Sequence, residues 1–179
     1  NTNIIAKSLC AGQATTFEIS ANGFVQSAIW NFGDGSIFSN SLLPSHVFPG
    51  PGTYTVTATV VVEGTTIRST KNLQINALPV ATPATLVQCS PTAADTNIPF
   101  KLTEATQSII GNDPNLSLTF FRSLPEAIND TNALPINYPN AANPQQLFVR
   151  VTDNTTGCFS TTTLDLSVNA MANIPLQIK

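Results

Sequence analysis

The run "TYTVTATVVV", residues 53 to 62, alternates so regularly that it leaves little choice of structure. Tyr54, Val56, Ala58, Val60 and Val62 fall on one side, and Thr55, Thr57 and Thr59 on the other. A β-strand with a two-residue period sorts such a sequence into an apolar face and a hydroxyl face, whereas a helix would scatter both around its circumference. Shorter alternating runs recur every ten residues or so, separated by Gly, Pro, Asn and Asp, and no window sustains a 3.6-residue period. Thirteen prolines spread through the connections argue against long helices. The expectation is an all-β fold, with "SLPEAIND" (123 to 130) the only segment expected to make a helical turn.

An internal repeat divides the chain. "GTTIRSTKNLQIN" (64 to 76) lies without gaps on "GCFSTTTLDLSVN" (157 to 169), so that Gly64 meets Gly157, Leu73 meets Leu166 and Asn76 meets Asn169. Upstream, "LCAGQATTFEI" and "VQCSPTAADTNIPFKL" share a cysteine followed by an alternating strand, so the two units begin and end alike. Two tandem β-sandwich domains are therefore expected: residues 1–77, a proline-containing linker at 78–83, and residues 84–169. The tail 170–179, "AMANIPLQIK", echoes "NALPVATPATL" and reads as a linker to a following module.

Composition narrows the function. Only 9% of residues are charged, so hydroxyls and amides must solvate the surface. Seven Lys and Arg against ten Asp and Glu, without a basic cluster, remove the counterion release that drives nucleic-acid binding. No apolar run approaches the roughly 20 residues that cross a bilayer as a helix, so no membrane insertion is expected. "SLCAG" (8 to 12) has the outline of a lipoprotein cleavage site, but Lys7 stands where an apolar residue is needed, and lipidation is not expected.

The three cysteines can be sorted by the repeat. Cys89 at the first strand and Cys158 at the last are expected to bridge the second module, which favours an oxidising, extracytoplasmic compartment. Cys10 occupies the place of Cys89, but its expected partner position holds Thr65. It reads as a buried thiol, an intermolecular bridge and a reactive nucleophile being the alternatives.

Chemistry-bearing residues are sparse. Trp30 and Phe32 alternate with Asn31, which sends the indole into the core. Asp34-Gly35 supplies a turn into "SIFSN", and Pro51-Gly52 another, with Tyr54 placed like a tyrosine corner. Asp34 is also a calcium candidate, as are Asp113 in "GNDPNLS" and Asp130 in "INDTN". Each has too few neighbouring acids for the six to eight oxygens calcium takes, and each loop stands without metal as an Asx turn. His46 is the single histidine, so any histidine-dependent catalysis must pass through it. No cofactor is required and no enzyme is expected. Three sequons, at Asn115, Asn129 and Asn154, matter only in a host that glycosylates asparagine.

With these residues in view, "WNFGDG…PSHVFPGPGTYTVTATV" resembles the PKD domain over residues 1–77. The resemblance rests on Trp30, Gly33, Asp34, Gly35, His46, Gly52 and Tyr54 and departs at Asn31, where Asp is commoner, and at Phe48, where Tyr is commoner. It implies an Ig-like sandwich in which His46 is structural. Residues 84–169, with "LTFFRS", "YPN", "LFVRVT" and "TGC" ahead of "LDLSV", resemble the Ig-like repeats of very large surface proteins of gliding Bacteroidetes, substrates of the type IX secretion system. That resemblance implies an extracellular, cell-surface role in adhesion and gliding motility. Its partners would be neighbouring modules, surface polysaccharide or other adhesin chains. The rival reading is a pair of accessory modules of a secreted protease or polysaccharide hydrolase.

Overall fold

The computed structural model describes residues 1–92 and 95–171, and the chain separates into two units, Asn1–Leu78 and Pro79–Lys179. In the first unit β1 (Thr2–Lys7), β2 (Ala14–Ala21) and β4 (Ser45–Val47) form one sheet, in the order β1-β2-β4. β3 (Val25–Asn31), β5 (Gly52–Val62) and β6 (Thr65–Ile75) form the other, in the order β3-β5-β6. The four pairings between these strands are antiparallel. β5 is the run with which the sequence analysis began, and Val56, Ala58, Val60 and Val62 are buried as the alternation requires. β5 turns into β6 through Glu63-Gly64, where Val62 faces Thr65 and both turn residues have positive φ (49° and 78°). This is a two-residue turn whose twist matches that of the strands it joins.

Between the sheets lies an aromatic cluster. The Phe17 ring of β2 sits 5.5 Å from Trp30, 5.2 Å from Phe32 and 6.4 Å from Phe48, tilted or edge-on to each, and all four rings are buried. On the outer face of the β5–β6 pair, side chains meet across the ladder. Thr55 donates to Asn72 at 2.9 Å, Thr53 donates to Gln74 at 3.0 Å, and Thr57 lies 3.4 Å from Thr70. Cross-strand pairs of this kind are worth ~0.2–1 kcal/mol each and take the place of ion pairs.

The second unit holds β7 (Ala84–Ser90), β8 (Pro99–Lys101), a 3₁₀ turn (Leu102–Ala105) and α1 (Thr106–Ile110). β9 (Leu116–Phe121), α2 (Leu124–Asn129), β10 (Asn137–Pro139), β11 (Gln145–Asp153) and β12 (Phe159–Ala170) follow. A four-stranded sheet runs β7-β12-β11-β9, antiparallel except that β7 lies parallel to β12. The β8–β10 ribbon and the helical segment supply Phe100, Tyr138, Leu102, Ala105 and Ile109 to the core that Leu147, Val149, Val151, Leu164, Leu166 and Val168 build from the sheet. α2 packs on β9 and β11, where the Arg150 guanidinium donates to the Ala127 and Ile128 carbonyls at 2.9 and 2.8 Å and satisfies the end of the helix.

Two expectations need comment. The helical turn at 123–130 is present as α2, entered at Ser123, whose hydroxyl accepts from the Glu126 amide. It is not the only one, because residues 102–110 are helical as well. The buried Leu102, Ala105 and Ile109 recur at helical spacing there, over a span too short to stand out among alternating strands. The expected linker at 170–179 lies, beyond Met171, outside the described residues.

Phe17→Ala removes a ring that, like Phe32, touches the other three. We expect a loss of about 3–5 kcal/mol from the first unit, read by denaturant titration with Trp30, the single tryptophan, as the fluorescent reporter.

Candidate functional site

The loop after β3 is held by short-range hydrogen bonds. Asn31 Oδ1 accepts from the Gly33 amide at 2.8 Å, and Asp34 Oδ1 accepts from the Ser36 amide at 3.0 Å. Asn31 thus supplies the same acceptor an aspartate would, which accounts for its place in the motif. The chain then turns back so that Trp30 and Ser39 exchange both backbone hydrogen bonds, at 2.7 and 3.2 Å, and the indole Nε1–H donates to the Ser41 carbonyl at 2.8 Å. Gly33 has φ 77°, and a Cβ there would stand 2.5 Å from the Thr55 carbonyl oxygen, so β5 passes too close for any other residue. Gly35 and Gly52 also have positive φ, 82° and 148°, with open space around them.

Asp34 Oδ2 reaches His46 Nε2 at 2.6 Å. The imidazole lies flat on Phe32, centroids 4.0 Å apart and planes 4° apart, and meets Phe48 edge-on at 4.9 Å. Burial alone would raise the Asp34 carboxyl. The hydrogen bonds from Ser36 and His46, with the histidine charge, outweigh it and bring the pKa from 3.8 down to about 2. Tyr54 donates its hydroxyl to the Gly50 carbonyl at 2.9 Å and closes the turn at Pro51-Gly52. Trp30, Gly33, Asp34, Gly35, His46, Gly52 and Tyr54 are all engaged in fixing loops onto one core.

The other two calcium candidates stand apart from it. Asp113 Oδ1 accepts from the Asn115 amide at 2.9 Å in an Asx turn, and Asp130 is the left-handed residue that ends α2. Among the described residues no group of three or more His, Cys, Asp or Glu side chains stands together as a metal would need.

The cysteines overturn the expected pairing. Cys10 and Cys158 are disulfide-bonded, and Cys89 is a free, exposed thiol. With three cysteines in the chain the bond is Cys10–Cys158, one from each unit. The expected Cys89–Cys158 bridge fails on register. Cys89 faces Asn169 near the end of β12, while Cys158 precedes its start. About eleven residues of strand separate the two positions (169 − 158), roughly 35 Å at the extended rise, whereas a disulfide needs Cα atoms within ~7 Å. Cys10, expected to be a thiol, sits in a parallel bridge with Asn76, at the very end of the first unit's last strand. At Cys158's end of β12, Ser160 Oγ donates to the Pro79 carbonyl at 2.6 Å. Each bonded cysteine therefore lies, in its own unit, where the chain joins the two.

The strand pairings bear out the equivalence of Cys10 and Cys89. Cys10 opposes Asn76 and Cys89 opposes Asn169, both in parallel pairings, and Asn76 and Asn169 are repeat equivalents. The two cysteines are the same position in two modules.

Comparison with known proteins agrees with this division. Residues 2–77 match the PKD domain, and residues 85–172 match the Flavobacterium inter-domain disulphide bond domain. No curated protein matches the chain significantly. Solved structures similar to it include the PKD1 domain of Vibrio anguillarum Epp, at 27% identity over 43% of this chain and 93% of that one, with a TM-score of 0.37. The PKD1 domain of the Vibrio cholerae metalloprotease PrtV is 22% identical over 42% of this chain and 94% of its own, with a TM-score of 0.35. The fibronectin(III)-like modules of Clostridium thermocellum CbhA are 13% identical over 98% and 100%, with a TM-score of 0.36.

Two outcomes are expected. Gly33→Ala should cost the first unit more than the ~1–2 kcal/mol of left-handed strain that Gly35→Ala costs, because only Gly33 also meets backbone; paired denaturation curves check this. Asp34 has a folded pKa below its unfolded value, so its contribution is whole above pH 3.8 and disappears as pH falls toward 2. Asp34→Asn should flatten that part of the stability profile, measured by Trp30 fluorescence from pH 5 to pH 2.

Proposed function

We propose that this chain is a non-catalytic segment of a large extracellular protein, a pair of spacer and adhesion modules carried on a bacterial surface, and that its specific setting is a gliding-motility adhesin exported by the type IX system. The observation that carries this reading is the Cys10–Cys158 bond. A disulfide within one module would stabilise that module; this one leaves each core to itself and acts on the connection. Asn76 pairs with Cys10, and Pro79 is bonded by Ser160, two residues after Cys158, so the disulfide and the short stretch 76–79 are two covalent routes from one module to the next. A disulfide between domains fits an oxidising compartment.

The strand order supports a spacer as well. Because β7 and β12 run parallel, the chain enters the second unit at one end of its sheet and leaves at the other. The hydroxyl and amide ladders give salt little to screen. Partners on this reading are neighbouring modules, surface polysaccharide and other adhesin chains, and no cofactor is needed.

An immunoblot of whole and surface-shaved cells with an antibody against this chain tests the setting. A protease-sensitive surface band of several hundred kilodaltons is expected; a secreted band of ordinary enzyme size would instead assign the modules to a hydrolase. The mechanical claim is separate. Cys10→Ser with Cys158→Ser should leave the unfolding midpoint of each unit within about 1 kcal/mol of its original stability, while small-angle scattering shows a broader range of overall dimensions and protease cuts faster within 77–83. Unchanged scattering would sink the clamp.

A further inference from the structure

The repeat gives Cys89 a meaning that its free thiol alone would not have. Cys10 and Cys89 hold one register position, each opposite the asparagine that ends the repeat, in a parallel pairing with the last strand of its module. At that position in the first unit the cysteine is disulfide-bonded, and its partner is the cysteine that follows a left-handed glycine, Gly157, at the last hairpin of the next module. In the second unit the same position carries a free thiol on an exposed face of an edge strand. On that face Val87, two residues back, is 52% exposed, and across the ladder Cys89 faces the exposed Asn169.

We propose that Cys89 is the forward half of a second inter-module disulfide. Its partner is a cysteine placed like Cys158, just after the glycine of the final hairpin, in a following module of the same kind as residues 85–172. This rests on the spacer reading given above and extends it: each module offers one cysteine backward from its last hairpin and one forward from its first strand, so that a string of modules is clamped at every connection.

The chemistry balances with an extracytoplasmic dithiol–disulfide oxidoreductase as oxidant. The Cys89 thiolate attacks a sulfur of the oxidant's disulfide, forming a mixed disulfide and expelling one oxidant thiolate. The partner cysteine's thiolate then attacks the Cys89 sulfur and releases the second. Two protein thiols lose two protons and two electrons, and the oxidant leaves as a dithiol.

The test lengthens the chain by its own logic. Residues 77–171 are repeated directly after Asn169, so that Cys89 precedes a second Cys158 just as Cys10 precedes the first. The protein is oxidised with oxidised glutathione, alkylated with iodoacetamide and digested without reduction. The expected result is a peptide joining Cys89 to the added Cys158, an at least tenfold loss of Cys89 alkylation relative to the original chain, and full alkylation of the added Cys158 when Cys89→Ser is introduced. Cys89 alkylated as before, or bridged to Cys89 of a second molecule, while the Cys10–Cys158 peptide is intact, overturns the proposal alone. Loss of the Cys10–Cys158 peptide from the original chain overturns the spacer reading and the proposal with it. The parent protein taken from cells and alkylated at once gives the same reading in its natural setting: Cys89 joined to a following Gly-Cys hairpin supports it, and Cys89 carrying the alkyl group rejects it.

Discussion

A strand that enters a sheet parallel to the strand that leaves it makes a module with its ends at opposite poles, and much of this molecule depends on that pairing. β7 alongside β12 carries the chain from Ala84 beside Leu164 to Ser90 beside Ala170, and the Cys10–Asn76 bridge is the first unit's shorter version. An antiparallel pairing would return the exit to the entry, and modules could then only fold back on one another. Parallel pairing also decides where a cysteine on the first strand can reach. It puts Cys10 and Cys89 at the exits and leaves Cys158, at the far end of β12, facing the entrance.

That geometry explains why the fold was legible in the sequence and the bond was not. Period-2 alternation is a local property of the chain, so Val56, Ala58 and Val60 declare their burial without knowledge of any neighbour. The roles of Trp30 and Tyr54 could be read for the same reason: the turn residues that position them are adjacent in sequence. A disulfide is a statement about two distant segments. The shared cysteine-then-strand opening of the two units correctly made Cys10 and Cys89 equivalents, but pairing Cys89 with Cys158 assumed that first and last strands meet where their cysteines are. Only the direction of β7 against β12 shows that they do not. The Phe17 hub and the Asp34–His46 pair were hidden similarly, each joining elements whose proximity no spacing reveals.

The Asp34–His46 pair shows how a constellation with the residue types of catalysis can be architecture. The carboxylate is already satisfied by Ser36, and the imidazole is stacked on Phe32 and met edge-on by Phe48, so the pair ties the loop after β3 to β4 through one buried ring. Its low carboxyl pKa follows from hydrogen bonding to the charged form, as in any structural ion pair, and perturbed titration here marks a joint between loops.

Few charges and a disulfide at the joint answer the same physical demand. Surface ion pairs contribute ~0–1 kcal/mol and weaken with salt, so a protein gains little by relying on them. The threonine and asparagine ladders of β5 and β6 do not depend on ionic strength, and each module has a core of its own. Those ladders and cores each act within one module. A disulfide holds two segments without needing to bury area between them. In this chain that bond joins one cysteine of each unit, Cys10 and Cys158.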